Sequence, residues 1–104
     1  MRITVKNKQY NIGEMKYEKY IPYIEARNKI IKKEIYEPRD IDLMINTLVI
    51  VFDNQFTAKD IKDDMDISDI IFNFLNVDLE IANKSNKKAL KVSEGFTKGK
   101  KFKR

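Results

Sequence analysis

The chain has 104 residues, 36% of them charged, with no cysteine and no histidine. That length suits one domain. The missing residue types exclude a disulfide framework, a thiolate or imidazole nucleophile and the usual zinc sites. The net charge of +5 conceals a division. Residues 84–104 carry nine Lys/Arg against one acid, a net of +8, while residues 1–83 carry twelve against fifteen, a net of −3. No apolar run approaches the ~20 residues of a membrane-spanning helix, and Met1–Val5 is no signal peptide. The expectation is a soluble, intracellular protein with no cofactor, no metal and no membrane partner.

Ile3, Val5, Tyr10 and Ile12 alternate with polar residues around Asn7-Lys8, which predicts a β-hairpin over about 2–12. Gly13 ends it. A first helix is expected from about Tyr17 or Lys19 to Glu34, with Tyr17, Tyr20, Ile21, Ile24, Ile31 and Ile35 on one face. Pro22 is tolerable in the first turn, where its missing N–H has no helical partner, so the regular helix is placed no earlier than Lys19. Tyr17, Tyr20 and Tyr23 are candidates for an aromatic interaction surface. Such a cluster is more often half core and half rim.

Pro38 suits the first position of a central helix expected over 38–53. Ile41, Met44, Ile45, Leu48, Val49 and Phe52 fall at helical spacing, with Leu43, Ile50 and Val51 off the stripe. A helix apolar on more than one side belongs in the middle of a bundle. The β-branched run Thr47–Phe52 competes as a strand, but three turns of periodicity favour the helix. The joint Phe52, Asn54, Gln55, Phe56, Thr57 follows. Asn54 tolerates the left-handed conformation that ends helices, Phe56 returns a ring to the core, and Thr57 with Asp60 resembles a capping box. A short acidic helix is expected over 57–64.

Asp66 or Ser68 then caps a last helix over 67–82, carried by Ile67, Ile70, Ile71, Phe74 and Leu75, with Leu79 or Ile81 extending the face less regularly. Phe72 is left near the edge as a further candidate interaction residue. Asp60, Asp63, Asp64, Asp66 and Asp69 lack the glycine and terminal glutamate of a calcium loop, and helix capping explains them more simply. Nothing marks a catalytic pocket, so no enzyme is expected. Residues 84–104 read as a flexible basic tail that contributes nothing to stability. The expected fold is thus mainly α: a single domain, 1–83, of three to four helices with an N-terminal β-hairpin, followed by a disordered basic tail.

The order of apolar helix, Val51-Phe52-Asp53-Asn54-Gln55-Phe56-Thr57, short acidic helix and second apolar helix resembles the tail assembly chaperones of long-tailed phages that infect Gram-positive bacteria. The resemblance covers Met1 to about Ala82, and members usually carry Gly where Asp53 stands. It implies a small helical protein that coats the tape-measure protein, helps recruit the major tail-tube protein and is absent from the virion; self-association along the client is compatible with such a coat. It places the chain in the host cytoplasm. The reading from another class is a small nucleic-acid-binding protein using the basic tail. The acidic body opposes it, and only Phe96 and Phe102 interleave aromatics with the tail's charges.

Many members of the resembling family also make a longer product by a −1 ribosomal frameshift. Lys98-Gly99-Lys100 can be encoded AAG-GGA-AAA, containing G-GGA-AAA. Gly99-Lys100-Lys101 can be encoded GGA-AAA-AAG, containing A-AAA-AAG. The basic terminus thus reads either as partly the product of a slippery message or as an ordinary solvated Lys tail; a heptamer at codons 98–101 with an open −1 frame beyond selects the first, and sequencing the gene decides the point. Silent mutation of the heptamer should then abolish the longer product and leave the 104-residue chain intact.

Overall fold

A computed structural model describes the backbone of residues 1–100 and the side chains of residues 1–86. Strands β1 (Arg2–Val5) and β2 (Lys8–Asn11) pair antiparallel, with Ile3 opposite Tyr10 and Val5 opposite Lys8. Four helices follow: α1 (Tyr17–Ile30), α2 (Pro38–Val51), α3 (Ala58–Asp64) and α4 (Ile67–Lys100). The hairpin reverses at Lys6-Asn7, one residue earlier than the Asn7-Lys8 expected from sequence. Both residues are left-handed, with φ of 50° and 64°, the geometry that matches the twist of two strands joined by two residues. Lys at such an angle is uncommon, and α3 holds it. The Lys6 amide donates to the Asp64 carboxylate at 2.8 Å, and its ammonium lies 3.1 Å from Asp60.

The helix α1 begins at Tyr17, the earlier of the two expected starts although Pro22 argued for Lys19, and ends at Ile30, not 34. The Lys16 carbonyl accepts the amides of Lys19 and Tyr20 at 2.9 and 3.0 Å, which closes the first turn ahead of Pro22. Proline inside the helix therefore removes a single backbone hydrogen bond. The buried face also differs from the expected one. Tyr23, Ala26 and Ile30 enter the core, while Tyr17, Ile31 and Ile35 are 77%, 46% and 81% exposed. The partner decides this. Tyr23 packs its ring on Phe74 of α4 at 5.5 Å between centroids, and its hydroxyl donates to Asp78. Arg27 donates to the same carboxylate at 2.6 Å.

The helix α2 is central, packed on α1, α3 and α4. Met44, Ile45, Thr47, Leu48 and Val51 are buried, and the run Thr47–Phe52 is helical, not strand. Its N-terminus is closed by a reciprocal cap. Glu37 accepts the Asp40 amide, and the Asp40 carboxylate accepts the Glu37 amide at 2.8 Å. Lys33, just past α1, reaches the same carboxylate at 3.0 Å, which draws the end of α1 onto the start of α2.

From α4 the core receives Ile70, Phe74 and Val77, with Ile71 and Ile81 partly buried. Asp66 caps this helix, accepting the Asp69 amide at 3.0 Å. The sequence pattern singles out Leu75 but not Val77; the structure reverses the two, leaving Leu75 40% exposed. The backbone of α4 continues to Lys100, beyond the boundary at 82, because no proline interrupts residues 83–100 and Lys, Ala, Leu and Glu are good helix formers. The expectation of a tail without stabilising contacts falls mainly on residues 87–104, outside those whose side chains are described.

Asp40 sits well below the ordinary carboxylate value of 3.8, first because the Glu37 amide donates to it and then because Lys33 does. A depressed value means that the charged form stabilises the fold above pH 3.8 and that this contribution fades as pH falls below it. Asp40→Asn should lower the melting temperature at neutral pH. The difference from the parent should shrink as the pH is taken below 3.8 in a calorimetric series.

Candidate interaction surface

The joint between α2 and α3 is a structural knot. Phe52 ends α2, and Asp53 and Asn54 both turn left-handed, with φ of 60° and 58°. The Asn54 amide returns to the Val49 carbonyl at 2.9 Å and the Asp53 amide to Ile50 at 3.0 Å, which satisfies carbonyls that the helix end would otherwise orphan. Left-handed geometry at Asp53 is the condition that glycine meets without strain. Here the aspartate is tied down instead: Lys19 lies 3.3 Å from its carboxylate and donates to the Ile12 carbonyl at 2.9 Å.

Gln55 faces outward but is not idle. Its amide nitrogen donates to the Phe52 and Asn11 carbonyls, both at 2.9 Å, binding the helix end to the hairpin end. Phe56 is buried, edge-on to Tyr10 at 5.1 Å and tilted against Phe52 at 5.6 Å. Thr57 accepts the Asp60 amide at 3.1 Å, and Asp60 accepts the Thr57 amide at 2.9 Å. Asp60 is held low by that backbone bond first, then by Lys6. The six residues Phe52–Thr57 fasten β2, α1, α2 and α3 together.

The aromatic candidates separate. Tyr23 is fully buried, and burial, then its bond to Asp78, pushes its hydroxyl far above the usual phenol range. It belongs to the core and is closed to a partner. Tyr17 and Tyr20 are 77% and 36% exposed on α1, and Phe72 is 64% exposed on α4. Leu79, at 59%, is an exposed apolar residue that core periodicity treats as an extension of the packed face. An apolar groove of about 710 Å³ lies between α2, α3 and α4, walled by Tyr36, Ile41, Ile45, Met65, Ile67 and Ile71. The ion pair Lys62–Asp42, at 3.5 Å, stands at its rim.

Among the described residues, no three acidic side chains are grouped to hold a metal, and no helix is long and apolar enough to cross a membrane. The acids of α3 are engaged instead in caps and in pairs such as Lys59–Asp63. The described residues thus form a small helical bundle with a closed core and several large apolar side chains left outside. A family model described as phage tail chaperone protein matches residues 1–95, and the chain belongs to that family. No curated protein and no solved structure matches it.

Phe56→Ala should cost about 3–5 kcal/mol, since it empties a site between two other rings. Gln55→Ala would have little effect if the side chain only faced water. With two hydrogen bonds lost it should cost about 1 kcal/mol. Urea denaturation of both variants checks the order and the sizes.

Proposed function

We propose that this tail chaperone binds the tape-measure protein of a long-tailed phage, keeps it soluble and helps recruit the major tail-tube protein. The chain acts in the cytoplasm of the bacterial host and leaves before the virion is complete. It works without catalysis, as a coat on its client. The family match over residues 1–95 carries the reading. The exposed Phe72, Leu75 and Leu79 on one helix support it, because a coat protein must present apolar surface to a long helical client.

Co-expression of the tagged full chain with the tape-measure protein of the same phage tests this. The tape-measure protein should copurify and stay soluble, and should precipitate when expressed alone. Tail-tube protein should join the complex only when both are present. Failure to copurify, together with a salt-sensitive shift of DNA lost on removing residues 84–104, would replace this reading with nucleic-acid binding.

A further inference from the structure

Two helices leave apolar side chains outside the core, side by side. On α4, Phe72, Leu75, Leu79 and Ala82 are exposed and spaced by three, four and three residues, the spacing of a seam between two helices. Exposed Ser68 and Asn86 continue the spacing at its two ends, and Asn76 and Asn83 lie along one edge with Asp69. On α1, Tyr17, Tyr20, Ile24, Arg27 and Ile31 repeat the same three-four spacing, with Tyr17, Tyr20 and Ile31 exposed. Arg27 donates to Asp78 on the other edge of the α4 seam at 2.6 Å, so the two strips meet there. The charges at this junction neutralise each other, and the α4 strip itself has none. Solvated helix faces carry charge, whereas the centres of interfaces are depleted of it.

We infer that a second copy of the chain covers this face when no client is bound, with the two α4 helices antiparallel about a two-fold axis level with Val77. The seam is complementary to itself in that register. Phe72 meets Ala82 of the other copy, large against small, and Leu75 meets Leu79. The polar Ser68 and Asn86 meet at each end, and Asp69 meets Asn83, whose amide can donate to it. Asp78 faces its equivalent, but Arg27 already neutralises each. Parallel pairing would set Phe72 on Phe72 and Ala82 on Ala82, one layer crowded and one empty. Area points the same way. With roughly 200 Å² for a large side chain, the exposed parts of Phe72, Leu75, Leu79, Tyr17, Tyr20 and Ile31 come to about 650 Å² per chain. Two chains then bury about 1,300 Å², within the range of specific interfaces. A single foreign helix covers one strip, whereas a second copy covers both. The inference stands apart from the client reading; if both hold, the dimer is the resting form and the client displaces one copy.

The test uses the full chain alone, by sedimentation equilibrium over a micromolar to high-micromolar range. It should be a dimer. Leu79→Lys and Leu75→Lys, both at exposed positions, should weaken dimerisation at least tenfold and leave the helical circular dichroism of the chain unchanged. Orientation is read separately, since the chain has no cysteine and a single introduced one reports its own neighbour. A short bismaleimide should join two copies of Asn76→Cys, which lies near the axis. It should not join two copies of Ser68→Cys, which the antiparallel register holds 18 positions apart, about 27 Å at 1.5 Å per residue. A chain that stays monomeric throughout, a dimer that both lysine variants leave intact, or linking of Ser68→Cys as efficient as that of Asn76→Cys would overturn the inference. A monomer that captures tape-measure protein, and loses it on Leu79→Lys, would make the client the occupant and leave the client reading standing. A dimer that behaves as expected but never copurifies with tape-measure protein would uphold the inference and sink the client reading.

Discussion

The fold depends on a reversal of the chain at Asp53-Asn54. Two consecutive non-glycine residues in left-handed geometry are unfavourable in an isolated peptide. They persist because what lies on either side is rigid. Phe52 is buried before the turn and Phe56 after it, so the two rings clamp the reversal from within. Lys19 and Gln55 clamp it from outside, through carbonyls at the end of the hairpin. Hairpin, α1, α2 and α3 meet at this one place. A two-stranded hairpin is marginal alone, and here its exit is fastened to the helical bundle.

A second constraint joins the ends of the bundle. Tyr23 and Arg27 of α1 converge on Asp78 of α4 at the edge of the core, and Arg27 is held more firmly protonated chiefly by that hydrogen bond. An apolar contact would tolerate rotation of one helix on another. A phenol and a guanidinium sharing one carboxylate do not, so this network sets which face of α1 is inside. It also fixes the rotation of α4, and thereby turns Phe72, Leu75 and Leu79 to the outside.

That outward face links architecture to function. On the proposed function the client is a chain far longer than this one. The chaperone's own core must therefore be complete without the client, while some apolar surface stays open. The helix α4 has two such sides among its described residues: Ile70, Phe74 and Val77 enter the core, while Phe72, Leu75 and Leu79 are exposed. The groove between α2, α3 and α4 adds apolar surface at the base of the same helix.

Several features were determined by the sequence alone, because local chemistry decides them. Pro38 at a helix start, Thr57 with Asp60 as a reciprocal cap, Asp66 at the head of α4 and the apolar stripe of α2 need only residues within a few positions of each other. The phage tail chaperone family was legible for the same reason, in the run Val51–Thr57 and the elements around it. Tertiary structure decided the rest. Two faces of α1 are apolar, and periodicity cannot rank them; Phe74 and Asp78, some fifty residues away, select Tyr23 and leave Tyr17, Ile31 and Ile35 outside. Gln55 looks like any polar turn residue until the hairpin brings the Asn11 carbonyl to its amide. Val77 joins the core and Leu79 leaves it because the rotation of a helix is a property of its neighbours, which no local pattern contains.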